Sequence, residues 1–350
     1  MQQRKRWRLL VLLLVAPAAS GWNDTGHMVA ALIAYDRMPS SVSAAMGRLL
    51  HSHPRFQEDF VPRLPKALRN AAAAEQDRWY FAYASTWPDA ARRFDHVRGA
   101  SARDVLVARY NHGTWHYINL PTYLQTSDRS RIAAQAPQMN VSPGLDDARM
   151  NLVQAIETLT QNWCRSSDTE RALSLAWVTH LTADLHQPLH ATTLYAFPAF
   201  IRADRGDRGG NDVLVTGETP LRADNLHALW DGALGYESKY RQLEALARDY
   251  GRAAPNAKHD AKGDLSRKLQ SWVKHSRALA ASDAYTPEIR SAIAAAGDSR
   301  QVTVFIGNAY LAAMRAIAVR QIGLAGSRMA SVLEALAVDG ASVGCARQVN

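Results

Sequence analysis

The chain has 350 residues, 47% of them hydrophobic, with a formal charge of +9 at neutral pH, enough length to bury a sizeable core and to house an enzyme. Four of the 41 basic residues, Arg4, Lys5, Arg6 and Arg8, stand at the extreme N-terminus, so the rest is only mildly basic and charge alone gives weak support for a polyanion partner. Two cysteines, Cys164 and Cys345, exclude a disulfide scaffold and a thiolate zinc site, though they fit an oxidising compartment and could form one long-range bridge.

The opening stretch MQQRKRWRLLVLLLVAPAASG joins a basic region, a short apolar run and small residues, which predicts a secretory signal peptide over residues 1–21. Cleavage after Gly21 leaves Trp22 first in a secreted or periplasmic chain. The run Leu9 to Val15 is too short to span a bilayer, and no later segment reads as transmembrane. Residues 22–350 are long enough for one large domain or two small ones, and their fold should be mainly α, because apolar residues recur three and four apart over Val29 to Tyr35, Leu152 to Leu159, Leu173 to Leu185, Leu243 to Tyr250 and Val304 to Ile322. The segments Pro121 to Asp146, Phe197 to Leu226 and Gly251 to Asp264, rich in turn-forming residues, are expected to be irregular. Ser85-Thr86-Trp87-Pro88-Asp89 reads as a helix start with Asp89 in the first turn, and WHYINLP, from Trp115 to Pro121, as an extended stretch that carries His116.

Chemistry concentrates in His180-Leu-Thr-Ala-Asp184-Leu-His186-Gln-Pro-Leu-His190. His180 and Asp184 are one helical turn apart, on the face that also carries Leu173, Ala176, Trp177 and Leu181, so both polar groups point into the core. Pro188 ends the helix and lets His190 enter from the next turn. His227 and Asp231 in NLHALWD repeat the spacing. A single pair of this kind is better explained by a core histidine bonded to an aspartate than by a metal. Two pairs plus His190, His27, Asp89 and His116, all among apolar or aromatic neighbours, exceed what hydrogen bonding needs, and nitrogen with oxygen donors suits zinc at a catalytic site. His51, His53, His96, His112, His259 and His275 read as surface residues, and His186 as a neighbour of a ligand.

The pieces WNDTGH, STWPD, WHYINLP, HLTADLHQPLH, DRGGND, NLHALWD, WVKHSRALAASDAY and AGSRMASVLEAL, in that order along nearly the whole chain, resemble the zinc-dependent class I nucleases, the secreted single-strand nucleases and 3′-nucleotidases of fungi and plants. The resemblance implies the helical single-domain fold shared with phospholipase C, with a tri-zinc cleft. One zinc would be held by Asp89, His116, His180 and Asp184, and a second by His190, His227 and Asp231. The third would be held by His27, by Asp184 as a bridge, and by the free α-amino group and carbonyl oxygen of Trp22. Signal cleavage would complete the site, since an amine binds metal only once freed and deprotonated. The resemblance further implies cleavage of single-stranded DNA or RNA to 5′-nucleotides, 3′-nucleotidase activity, a water held or deprotonated by the catalytic Asp89, and no stable protein partner.

Tyr117 matches an aromatic that could stack on a base or belong to the core, and Asn119 could contact a base edge where many relatives carry an Asp. The Asn common after the last metal-binding Asp is replaced by Gly232. A zinc phospholipase C, which generally has Glu where Asp231 stands, and a non-catalytic periplasmic zinc-binding protein are the alternative readings.

Overall fold

The computed structural model describes residues 21–132, 150–200, 206–254 and 264–337. Residues 1–20 of the expected 1–21 leader and Cys345 lie outside the described residues; Cys164 is not a free thiol.

In chain order the first helices are α1 (Asp24–Arg37), α2 (Ser40–Leu49), α3 (Ala73–Ala84), α4 (Trp87–Ala91), α5 (Ala100–Tyr110) and α6 (Thr126–Ile132). They are followed by α7 (Leu152–Asn162), α8 (Asp168–Asp184), α9 (Leu226–Asp231), α10 (Tyr240–Ala253), α11 (Leu265–Leu279), α12 (Pro287–Ala295) and α13 (Asn308–Leu336). Among the described residues four short strands make two parallel pairs, β1 (Leu120–Tyr123) with β2 (Thr192–Tyr195) and β3 (Val213–Gly217) with β4 (Val302–Ile306). The mainly α expectation holds.

Helix α1 runs through the core, buried from Thr25 to Ala34 and packed by α3, α8, α10 and α13. Its start is fixed twice. The Asn23 side chain accepts from Gly26 N at 3.2 Å, while its amide donates to Gly235 O at 2.7 Å, tying the chain entry to the turn after α9. Glycine in α13 makes the closest helix contact possible: a Cβ at Gly326 would lie 2.6 Å from Ile33 Cβ of α1. Helix α8 is the second buried axis, started by a capping box between Ser167 and Glu170 and buried continuously from Ser174 to Asp184.

The strands set register for the site. Leu120 pairs with Thr192, and Ile118 N donates to His190 O at 2.8 Å, so the turns that carry His116 and His190 lie side by side. Strand β3 follows the DRGGND turn and bridges from Leu214 to Asn225, which holds that turn against the start of α9.

Three local expectations need correction. His116 does not sit on extended chain but closes a 3-10 turn, Gly113–His116, in which the His112 and Trp115 rings stack at 3.9 Å. Val304, Phe305 and Ile306 belong to β4, whose alternating burial matches the period-2 pattern of VTVFI; the helix begins only at Asn308. The segments expected to be irregular contain β1, α6, β3 and the end of α10; residues 197–200, 206–212 and 218–224 are irregular as expected, and 133–146, 201–205 and 255–263 lie outside the described residues. Asp89 does stand in the first turn of α4, but Thr86 does not cap it, because its hydroxyl donates back to Tyr83 O.

Candidate metal centre

Each chemistry-bearing segment is anchored by a tryptophan buried to 1% exposure or less. Trp22 Nε1 donates to Ala183 O at 3.1 Å, next to Asp184; Trp87 Nε1 donates to Asp59 Oδ2 at 2.8 Å, two residues before Asp89. Trp177 makes T-shaped contacts with the rings of His116 and His180, and Trp230, beside Asp231, donates to Tyr310 Oη at 2.8 Å. Truncating a buried tryptophan to alanine typically costs about 3–5 kcal/mol, so these anchors hold the adjacent side chains firmly.

The first group gathers His27 from α1, Asp89 from α4, His116 from its 3-10 turn, and His180 and Asp184 from α8. Asp184 is central. Its Oδ1 lies 3.3 Å from His27 Nε2, and its Oδ2 lies 3.1 Å from His180 Nε2, 3.2 Å from His116 Nδ1 and 3.8 Å from His190 Nδ1. Asp89 Oδ1 is 3.8 Å from His116 Nδ1 and 3.9 Å from His180 Nε2. In the second group, His190 Nε2 is 3.1 Å from His227 Nε2, and the Asp231 oxygens are 3.9 Å and 3.7 Å from those two nitrogens. Donor atoms about 2.0–2.2 Å from one tetrahedral zinc stand roughly 3.3–3.6 Å apart, close to these spacings.

Tautomers sharpen the fit. His180 Nδ1 faces Ser85 O at 2.7 Å, His227 Nδ1 faces Gly209 O at 2.7 Å, and His190 Nδ1 faces His116 O. A carbonyl can only accept, so each Nδ1 carries the proton; in His190 and His227, whose burial favours the neutral ring, Nε2 is left with a lone pair turned into the cluster, whereas the His180 Nε2 faces the Asp184 carboxylate at 3.1 Å. The Nε2 atoms of His190 and His227 therefore meet lone pair to lone pair, which a cation between them would relieve. Buried atoms without a hydrogen-bond partner add to this, namely both ring nitrogens of His27, His116 Nε2 and Asp184 Oδ1. Among the described residues, three sets of donors could hold a metal ion: His27, His180 and Asp184; Asp89, His116 and His180; and His190, His227 and Asp231.

The electrostatics point the same way. Burial pushes the Asp184 carboxyl up, but His180 and His190 and the hydrogen bonds from His116 and His180 overcome it and hold it well below the usual range. Burial also works against a charged His180, yet Asp184 and Asp89 raise it to about 9. Burial lowers His116 to about 4, and burial with the neighbouring His190 lowers His227 to about 3, so these two rings are neutral donors at neutral pH. Burial drives the Asp231 carboxyl well above its ordinary value despite the 2.7 Å hydrogen bond from Gln187. Asp184 and Asp231 both end helices, where the macrodipole disfavours an anion and favours a cation.

Asp89, His116, His180, Asp184, His190, His227, Asp231 and His27 thus converge, and Trp22 packs against them. Gly21 lies so close that a Cβ there would overlap Asp184 Oδ1. Tyr117 and Asn119 are half-buried on the link from His116 to β1, and Tyr117 lies outside the hydrophobic core cluster. His186 is buried but turned away, with Nδ1 facing Thr182 O and Nε2 accepting from Arg328. Among the histidines expected at the surface, His53 is buried between Phe60 and Trp87, an apolar setting that the polar local sequence hides, whereas His259 lies outside the described residues. Three contributors escaped the sequence reading: Gln187, which holds Asp231; Arg92, whose Nη1 is 3.4 Å from Asp89 Oδ1; and the Gly209 carbonyl behind His227. Gln187 stands inside the quoted histidine motif and Arg92 one turn after Asp89, but nothing in local spacing distinguishes them from surface polar residues.

Residues 22–338 match the family model described as S1/P1 Nuclease. The chain is similar to Endonuclease 3 of Arabidopsis thaliana, 25% identical over 268 residues that span 75% of this chain and 70% of the relative. It is also similar to Endonuclease 4 of the same plant, 23% identical over 232 residues, 66% of this chain and 61% of the relative. With a matching family model across the described fold and the donor clusters in one place, the chain belongs to the S1/P1 nuclease family, zinc-dependent hydrolases of phosphodiester bonds.

Proposed function

We propose that the protein is a secreted nuclease that binds three zinc ions, cuts single-stranded DNA or RNA to 5′-nucleotides and removes terminal 3′-phosphates. The observation that carries the metal assignment is the meeting of two unprotonated imidazole nitrogens, His190 Nε2 and His227 Nε2, at 3.1 Å beside a buried carboxylate. Asp89, His116, His180 and Asp184 would hold one ion, His190, His227 and Asp231 a second, and His27, Asp184 and the freed N-terminus of Trp22 a third. Zinc bound there would supply Lewis acidity, activating water near neutral pH and stabilising charge on phosphoryl oxygens.

The chain's own residues divide the remaining work. Asp89 is the most accessible of these side chains, 14% exposed where Asp184 is 0% and Asp231 9%, so it can reach an incoming water, orient it and take its proton. Arg92 extends beside Asp89 and balances its charge, and its guanidinium suits a phosphoryl oxygen. Tyr117, outside the core cluster, offers a ring on which an unpaired base can stack, and Asn119 an amide for the base edge. The backbone of Gly21 against Asp184 supports removal of residues 1–21, because the new amine of Trp22 would then lie at that carboxylate. Secretion agrees with the leader, and among the described residues no helix is long and apolar enough to cross a membrane.

The test is turnover of single-stranded DNA, RNA, a 3′-nucleotide and phosphatidylcholine by the chain that starts at Trp22, with zinc and then with chelator. Chelator-sensitive release of 5′-nucleotides and of inorganic phosphate is expected. Turnover of the lipid alone would move the assignment to a phospholipase, and no turnover on any substrate would leave a zinc-binding protein.

A further inference from the structure

The DRGGND turn carries no member of the three donor sets, yet it contains a carboxylate with no exposure to solvent, Asp207. Four donors converge on it: Leu194 N at 2.8 Å and Gly209 N at 3.0 Å on Oδ1, Gly210 N at 2.9 Å and Tyr285 Oη at 2.6 Å on Oδ2. Only a carboxylate offers acceptors on both branches; an amide would turn N–H groups towards two of these donors. Burial still raises Asp207 to about 6, so the group is kept at an energetic cost.

The donors explain what that cost achieves. Arg208, Gly209 and Gly210 all lie in the left-handed region, with φ of 56°, 64° and 86°. Gly209 and Gly210 take this conformation readily but Arg208 does so at a cost, and the carboxylate collects the two glycine amides that the turn leaves unpaired. A Cβ at Gly209 would come within 2.6 Å of Leu189 O. So held, the turn aims two carbonyls at one residue: Gly209 O at His227 Nδ1, 2.7 Å, and Gly210 O at His227 N, 3.4 Å. Ring and backbone of His227 are thus oriented by a turn that Asp207 organises, with Tyr285 fixing Asp207 from the far side.

We propose that Asp207 is a positioning residue that, through the Gly209–Gly210 turn, fixes the tautomer and direction of His227 and thereby sets the zinc affinity of the His190, His227 and Asp231 triad. Tyr285 acts in the same chain of contacts. The inference rests on the triad being a zinc site, as proposed above, and the experiment separates the two.

Zinc per chain and zinc affinity, by competition with a chromophoric chelator, are measured for the purified protein and for Asp207→Asn, Tyr285→Phe and His227→Ala, with circular dichroism as the check on folding. Asp207→Asn is expected to hold one zinc about 10–100-fold more weakly and the others as before. Its kcat falls at limiting zinc with KM little changed, and excess zinc restores it, which a merely structural defect would not allow. Tyr285→Phe, which removes one donor of four and keeps the carboxylate, shows the same pattern more weakly and serves should Asp207→Asn not fold. Wild-type zinc affinity in folded Asp207→Asn or, should that variant not fold, in Tyr285→Phe, alongside loss of zinc in His227→Ala, would overturn the role of Asp207. Full zinc content in His227→Ala would instead remove the triad reading, and this inference with it.

Discussion

Asp184 and Asp231 each end a helix and each face two or more imidazoles, but the supports behind them differ. Asp184 closes the 17-residue α8, buried among α1, α3, α7 and α13, and its partners come from long helices or from turns pressed on them. Asp231 closes the six-residue α9, and its partners come from a 3-10 turn and from an imidazole braced by a glycine turn. Their electrostatics diverge accordingly: surrounding imidazoles hold Asp184 well below the ordinary range, whereas burial with few compensating donors lifts Asp231 well above it. Core packing orders the first group and specific hydrogen bonds order the second, so the two should fail in different ways.

The largest effect is expected at the shared carboxylate. Asp184→Asn should lose two of the zinc ions and more activity than the roughly 10²–10³-fold that follows loss of a single transition-state donor. Zinc content and turnover close to wild type would show that Asp184 bridges nothing. Next comes Gln187→Ala, which leaves Asp231 without its 2.7 Å donor. Zinc affinity of the second group alone should fall about 10–100-fold, measured by chelator competition, with the first group unaffected. Equal weakening of both groups would contradict their separate support. Overpacking the core works in the opposite sense: Gly326→Val forces a side chain against Ile33 and should cost about 1–3 kcal/mol of stability in thermal unfolding, with zinc lost only as the protein unfolds. The smallest effect is expected at the rim, where Tyr117→Ala should raise KM for single-stranded DNA by the equivalent of about 1–3 kcal/mol at most and leave kcat and zinc content unchanged.

Much of this could be read before any coordinates, for a physical reason. His180 with Asp184 and His227 with Asp231 are one turn apart, so helical periodicity alone places each pair on a common face, and their apolar neighbours mark that face as buried. His27, Asp89 and His116 stood out only as polar groups in apolar settings, because their convergence depends on contacts between residues up to about 160 positions apart in sequence. The parallel pairing of β1 with β2 was not legible, since four-residue strands carry too little alternation to be distinguished from loop. The motif WVKHSRALAASDAY holds no donor of the three sets and is explained only by its contacts, Ser276 Oγ donating to Leu185 O at 2.6 Å and Tyr285 donating to Asp207. Gln187 and Gly209 escaped for the same reason: a residue that acts by holding another has no signature of its own in the chain.

The central claim is that these histidines and aspartates hold zinc, and anomalous diffraction at the zinc absorption edge from crystals of the zinc-loaded protein tests it most directly. Peaks about 2.0–2.2 Å from Asp184 Oδ1, Asp184 Oδ2 and the Nε2 atoms of His190 and His227 are the predicted result. Crystals grown with zinc that show no anomalous density between His190 and His227, or around Asp184, would contradict it.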